Sequence, residues 1–324
     1  MNNKIFLCLL AALALAVVPA AHAQPRKPYR VGVIHEGGAY FDAVEGLKDG
    51  LKELGLQPGK DVVLEIRDLQ GNPGAVGDAA RSLEQSKVDV LYCLSSSVTI
   101  AAKAATKDIP IVFAIGADAV ADGLVTSLAR PGGRLTGVSR LSSDFTAKRL
   151  EILKEIIPKL HRVATFYSPS NSVAVRAAKM AQEAGRQLKV EIEEQPVGSV
   201  AELRQAMSKL DPKHVEAFVY VSDAMVTSQS KFIIDTANAK KLATMFSDPE
   251  IVTQGALVGY GVNRYDEGKL SAKYVQRVLT GTSPRELPVE SFSRFELGIN
   301  LQTARKLGIT IPQAVLFRAD KVVE

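Results

Sequence analysis

Two doubly wound parallel α/β lobes, joined by a three-crossing hinge, are the fold class predicted for this chain of 324 residues. Three observations predict it. Short β-branched apolar runs alternate with amphipathic stretches of helical period. The runs lack the strict alternation of a half-exposed strand, so both of their faces should be covered by helices. The whole pattern then occurs a second time, which suits one architecture used twice.

The elements follow in order. Residues 29–34 read as a strand, and Phe41, Val44, Leu47, Leu51 and Leu54 recur at spacings of three and four to give the next helix one apolar face. Gly55 suits its C-terminal cap. A strand at 62–66 leads through Gly71-Asn72-Pro73 into a helix ending near 86, and strands at 88–94 and 109–115 flank a helix over 98–106. The stretch 109–139, IPIVFAIGADAVADGLVTSLARPGGRLTGVS, reads as a buried strand, a loop carrying Asp118, a helix, an Arg-Pro-Gly-Gly turn and a short strand. The second set opens after a helix over 144–157. It runs as strand 162–167, helix 170–188, strand 190–196, helix 201–210, strand 217–221, helix 225–240 and strand 242–246. A helix over 265–279 is expected to return to the first lobe, and a strand at 292–299 with a helix at 301–307 to pack on the second. Lobe 1 is then residues 29–138 plus about 264–288, and lobe 2 residues 139–263 plus about 289–324. Gly132, Gly133 and Gly137 lie near the first join, and Gly255, Gly259 and Gly261 near the second. They fit either hinges or ordinary turns.

The N-terminus points to export. Lys4 precedes an apolar run over 5–18, Pro19 breaks it, and Ala21-His22-Ala23 is a small-x-small cleavage pattern, so residues 1–23 read as a cleaved signal peptide. The run is shorter than the ~20 residues of a spanning helix. Cys8 follows Phe6-Leu7 rather than the small residue of a lipoprotein site, so Cys93 is the one cysteine expected in the mature chain. It sits in an apolar run, as a core thiol would. No cysteine cluster or histidine spacing suits a metal, and no GxxxxGK[ST] phosphate loop is present, so no cofactor is expected. The net charge of +5 is spread over dispersed basic residues that do not interleave with aromatics, which argues against a nucleic-acid surface.

Ligands of open α/β sheets bind outside the carboxyl ends of the strands, and the loops there supply the candidate site. Glu36 and Gly37 precede the first helix, where backbone approach and a helix N-terminus favour an anionic group; a plain turn is the other reading. Ser96 and Ser97 offer hydroxyls or simply cap a helix. Asp118 and Asp223 each follow a strand and precede a helix, so capping and ligand contact both fit, and a ligand ammonium would pair a carboxylate in a dry cleft. Asn171 lies in the loop Ser168-Pro169-Ser170-Asn171. Tyr167, Phe246 and Tyr260, at strand ends, either wall the cleft or belong to the core. Lys103, Arg130 and Arg140 read as solvated or structural charges. The pair His35-Glu36 lacks a third partner for acid–base work, and GxSxG is absent, so no catalytic residue is identified.

Several segments carry a resemblance: GLKELGLQPGKDVVLEIRDLQGNPG, AAKAATKDIPIVFAIGAD, LVTSLARPGGRLTGVS, KRLEILKEIIPKL and LPVESFSRFELGINLQTARKLGITIP. Together, over about 29–324, the chain resembles the tryptophan/tyrosine-type ABC transporter substrate-binding family, whose fold is the type I periplasmic binding protein. By that resemblance, the family's GTPAA-like loop falls on Ser95-Ser96-Ser97-Val98-Thr99. Its GDP motif falls on Ala117-Asp118-Ala119, without the glycine and proline, and its N-P-x-N-P-type loop on 168–172. The resemblance implies a periplasmic monomer that captures a small molecule, some members binding aromatic amino acids, and delivers it to an ABC permease with its ATPase. A ligand-sensing subunit for a membrane receptor and an exported enzyme are the rival readings. An intact mass starting at Gln24 is the expected result for the exported protein; a retained N-terminus or a lipid on Cys8 would contradict cleavage.

Overall fold

The computed structural model describes residues 27–140 and 145–324. The expected export signal, with Lys4, Cys8 and the Ala21-His22-Ala23 site, lies outside the described residues, as does Asp144 at the head of an expected helix. The first set of elements is β1 (Tyr29–His35), α1 (Tyr40–Glu53), β2 (Val62–Asp68), α2 (Val76–Gln85), β3 (Val90–Leu94), α3 (Ser96–Ala105), β4 (Ile111–Ile115) and β5 (Leu135–Ser139). The second is α4 (Thr146–Ile156), β6 (Arg162–Tyr167), α5 (Ser172–Leu188), β7 (Glu191–Pro196), α6 (Val200–Lys209), β8 (Ala217–Val219), α7 (Ala224–Ser228), α8 (Ser230–Ala239), β9 (Ala243–Phe246) and β10 (Val258–Gly261). The chain closes with α9 (Arg264–Leu279), β11 (Glu290–Ser291), β12 (Glu296–Asn300), α10 (Leu301–Leu307), α11 (Gln313–Leu316) and β13 (Lys321–Val323).

Two sheets result. The first has the order β11-β5-β4-β3-β1-β2 with every pair parallel. The second has the order β13-β12-β10-β9-β8-β6-β7, parallel except where β12 runs antiparallel to β10. Strands β3 and β4 are buried along their whole length, as expected of strands covered on both faces. The chain leaves the first sheet after β5, returns with α9, and leaves again after β11.

Three local expectations are corrected. Phe41 is 46% and Leu54 43% exposed, so the buried face of α1 is instead Tyr40, Ala43, Val44, Gly46, Leu47, Gly50 and Leu51. Between β4 and β5 there is no helix; residues 119–123 form turns, held by Asp118 Oδ1 accepting from the N–H groups of Val120 (2.8 Å) and Ala121 (3.2 Å). Leu124 and Val125 there are buried without helical structure. The expected helix over 225–240 breaks at Gln229 into α7 and α8.

Small residues fix how α9 docks. A Cβ at Gly46 would lie 1.9 Å from the Tyr265 carbonyl oxygen, and one at Gly268 1.9 Å from that of Ala43. The two helices therefore touch backbone to backbone, and the obstacle to any side chain is main chain that cannot swing away. Gly137, Gly259 and Gly261 are explained similarly, with added Cβ atoms meeting carbonyl oxygens at 2.0, 2.0 and 1.9 Å. Gly268→Val should cost ~3 kcal/mol or more, because overpacking a tight contact typically costs about 1–3 kcal/mol and here only backbone can yield. Urea unfolding measures this, and a variant with the parental midpoint would refute the close approach.

Candidate functional site

In each sheet one strand has neighbours whose connections run in opposite directions. β1 lies between β2 and β3, and β6 between β7 and β8. Such a topological switch point leaves a crevice outside the carboxyl ends of the strands. In the first sheet Glu36 and Tyr40 follow β1, and Ser95, Ser96 and Ser97 follow β3. In the second, Ser168, Ser170 and Asn171 follow β6, and Tyr220, Ser222 and Asp223 follow β8. The two crevices face each other and enclose two adjoining spaces.

The first is a narrow chamber of about 20 Å³, reached by Tyr40, Ser95, Ser96, Ser97, Gly116, Arg140, Asn171, Tyr220, Ser222 and Asp223. The second is a groove of about 250 Å³ whose lining mixes polar residues, Glu36, Ser97, Ser168, Ser170, Asn171 and Asp223, with apolar ones, Pro73, Ile100, Ala101, Ala104 and Met225. Ser97, Asn171 and Asp223 border both. The lobes are in contact around these spaces. Arg176 of α5 forms an ion pair with Asp122 of the first lobe, Ala39 packs into the second lobe's core and Ala224 into the first's. A Cβ at Gly38 would lie 2.4 Å from the Thr227 carbonyl oxygen.

Ser95 shapes the chamber. Its backbone has φ 101° and ψ 157°, a conformation that non-glycine residues rarely adopt and that costs on the order of 1–3 kcal/mol. Hydrogen bonds from its backbone and side chain hold it. Its N–H donates to the Ala114 carbonyl (2.9 Å), its hydroxyl accepts from Val98 N–H (3.2 Å), and its carbonyl accepts from the Thr99 hydroxyl (2.7 Å). The cap uses the Val98 N–H, and the first N–H groups of α3 have no partner within their helix. The Ser96 hydroxyl is buried without a hydrogen-bond partner of good geometry, although it lies close enough to Asp122 to favour that carboxylate's charge.

Charge is distributed unevenly over the two spaces. Arg140, 4% exposed, borders the chamber and pairs with the buried Glu267 at 2.7 Å. Asp223 is buried, and both of its oxygens are in use. Oδ1 accepts from Val226 N–H (3.0 Å), and Oδ2 accepts from Ser168 N–H (3.0 Å) and from the Asn171 amide (3.4 Å). Burial pushes its carboxyl above the ordinary range, against the lowering effect of those donors. Among the described residues Glu36, 1% exposed, has no side-chain hydrogen-bond partner, and its Oε2 is buried unpaired. Burial, and then the neighbouring Asp223, push the Glu36 carboxyl up to about 8.

Of the residues read from sequence, Glu36, Ser96, Ser97, Asn171 and Asp223 thus come together. Gly37 does not line either space; its φ of 91° bends the loop against Asp68. Asp118 is exposed and serves its own turn. Tyr167 donates to Glu194 at 3.2 Å on the far side of β6. Phe246 is 3% exposed in the second lobe's core, with Phe218 at 5.4 Å. Tyr260 stacks on Phe295 at 6.2 Å, and its carbonyl accepts from Arg149 Nε at 2.9 Å. Arg140, read as a solvated or structural charge, is structural in its buried pair with Glu267 and also lines the chamber, where Tyr40 and Tyr220 supply aromatic walls. Their signal was position: Arg140 directly follows β5, by the same rule that selected Asp118. Burial pushes the Cys93 thiol up to about 12, consistent with an inert core residue.

Among the described residues no group of side chains is arranged to hold a metal ion, and no helix is long and apolar enough to cross a membrane. The solved structures most informative for this fold include a conserved domain protein of Vibrio cholerae, 31% identical with a TM-score of 0.83, spanning 91% of this chain and all of that one. Another is the ABC domain of Streptococcus pneumonia in complex with L-Trp, 25% identical with a TM-score of 0.80, spanning 90% of this chain and all of that one. A tyrosine-binding protein of Clostridioides difficile (strain R20291) is 28% identical over 266 residues, 82% of this chain and 76% of the relative.

Glu36 generates a prediction in the unliganded protein. Its folded form prefers the proton, so its stabilising contribution is complete below the ordinary value of 4.5 and is lost as pH rises through about 8. Glu36→Gln keeps a neutral group at every pH. The melting temperature of the parent should therefore fall relative to the Gln variant as pH rises from 4.5 to about 8. Parallel curves would show that Glu36 is not buried as described.

The profile of the ABC transporter substrate-binding protein family matches residues 30–323, and the chain belongs to that family.

Proposed function

We propose that the chain is the periplasmic solute-binding component of an ABC importer and that its ligand is an amino acid held as a zwitterion. The observation that carries this reading is the polarity of the enclosed space. Arg140 and the N-terminus of α3 border the chamber, while the unpartnered Glu36 borders the groove and Asp223 lies between them. A carboxylate in the chamber meets a guanidinium and helix N–H groups. An ammonium one carbon away then meets carboxylates, and the side chain runs along Ile100, Ala101, Ala104 and Met225. Ser96, Ser97 and Asn171 complete the polar lining, as Asp118, Tyr167, Phe246 and Tyr260 do not. The relatives named for tyrosine and crystallised with L-Trp support the same ligand class.

The site is completed by two lobes of one chain, which suits a monomer that presents both lobes to a membrane permease. A cleaved signal peptide would place it in the periplasm. The family's role as substrate-binding proteins supports capture over turnover.

Ligand analogues test the zwitterion more cleanly than Arg140 variants, since removing Arg140 would strand the buried Glu267 and cost ~3–5 kcal/mol of stability. Thermal melting against the protein L-amino acids should reveal at least one that stabilises. Its decarboxylated and deaminated analogues should each bind about thirtyfold or more weakly by calorimetry, the loss expected when one partner of a buried charge pair is removed. The chain has no tryptophan, so binding of L-tryptophan can also be followed by the ligand's own fluorescence. Silence across the whole panel would sink the amino-acid reading.

A further inference from the structure

We infer that Glu36, rather than Asp223, is the group that takes the ligand's ammonium, and that it gives up a proton to solvent when it does so. The inference deepens the zwitterion reading and rests on it. Asp223 is already committed: Val226 N–H, Ser168 N–H and the Asn171 amide fix its orientation and occupy both oxygens. It can lend charge, but it has little acceptor capacity left. Glu36 is the reverse case. It borders the groove beside Asp223 and, among the described residues, has no side-chain hydrogen-bond partner, with Oε2 buried unpaired. A buried polar atom left unpaired costs on the order of 1–3 kcal/mol and calls for a partner.

Among the described residues the surroundings supply none. Asp223, at the head of α7, repels the Glu36 charge. Tyr40 on α1 lies near it, with the Arg264 guanidinium 4.6 Å from the ring centre; Arg264 is paired with Asp248 at 3.4 Å. Arg140, at the end of β5, is paired with Glu267. His35, at the end of β1, is fully buried, its Nδ1 accepts from Gly37 N–H at 2.9 Å, and burial lowers its pKa despite Asp68 at 3.9 Å. A neutral imidazole cannot neutralise Glu36. The empty site therefore holds Glu36 as the carboxylic acid until about pH 8. On binding, a ligand ammonium and the Glu36 acid give an ammonium–carboxylate pair and one proton released to solvent. No other bond forms or breaks.

The test uses the full-length mature protein and Glu36→Gln, with L-tyrosine, L-tryptophan, their decarboxylated amines tyramine and tryptamine, and their deaminated aryl-propionates. Calorimetry in two buffers of different ionisation enthalpy should show release of roughly one proton near neutral pH. Affinity of the parent for an amine-bearing probe should rise by up to about tenfold per pH unit, levelling near pH 8. In Glu36→Gln the proton release and the slope should both vanish. Affinity for amine-bearing probes should drop by about thirtyfold or more while the aryl-propionates lose nothing. If Glu36→Gln, folded by its melting curve, binds the amino acids as tightly as the parent and with the same proton release, the Glu36 assignment is overturned and the zwitterion reading stands. Binding of the amines without the amino acids would sink the zwitterion and keep Glu36. Failure of every ammonium-bearing probe, together with silence across the panel of protein L-amino acids, would overturn both.

Discussion

A parallel sheet sends every strand's carboxyl end, and every following helix's N-terminus, to the same edge. In this protein two such edges are pressed together, and that constraint organises the rest. Each edge is rich in backbone N–H groups, capping oxygens and short polar side chains that water would satisfy in an open cleft. When the edges meet, some of these groups satisfy one another within a lobe, as Asp223 does for Ser168 and Val226. Others are left over. The unsatisfied set includes Glu36 Oε2 and the Ser96 hydroxyl, with Arg140 close by, and it describes a ligand by its complement.

The alternation of elements was legible because burial on both faces leaves an unmistakable apolar run: β1, β3, β4 and β6 fall where the runs do. The strand-end rule then selected Glu36, Ser96, Ser97, Asn171 and Asp223, all of which border the enclosed space. It also selected Asp118, Tyr167, Phe246 and Tyr260, which do not. The difference is strand order, which local pattern does not carry. The loop carrying Asp118 follows β4, which lies one position away from the β1/β3 switch point, and Asp118 is consumed by its own turn. The aromatics failed for a second reason. At a strand end the pleat sends successive side chains to opposite faces, and Phe246 faces the core that also holds Phe218. Arg140 is the structural charge of the two readings, but its place beside the enclosed space was not legible, because its buried partner Glu267 lies 127 positions further on, in α9.

The helix break at Gln229 and the missing helix after Asp118 share a cause. In both places, side chains cap and turn the backbone locally, and short polar residues compete with helical hydrogen bonding. Thr227, Ser228 and Ser230 all bond backbone carbonyls around the break, where apolar periodicity alone suggested one continuous helix.

These features also bear on what holds the lobes together. The Arg176–Asp122 pair spans the cleft, but Arg176 is half exposed, and an ion pair with a solvated partner contributes only ~0–1 kcal/mol. Asp122 is meanwhile pushed up by burial, with Arg176 opposing the shift, so closing over it carries a cost of its own. Burying Glu36 and Asp223 side by side adds like-charge repulsion unless one of them keeps a proton. The closed arrangement without ligand is thus assembled from small gains and real desolvation costs. A ligand shifts such an equilibrium only by its differential affinity for the closed form, and about 5.5 kcal/mol of difference would carry it from almost wholly open to almost wholly closed. On the proposed reading, an ammonium that pairs Glu36 and a carboxylate that meets Arg140 would touch both lobes at once beside Asp223, Asn171 and Ser97. Such contacts would exist only when the edges meet, so the same polar groups that make the empty closed state costly would give a complementary ligand its hold on it.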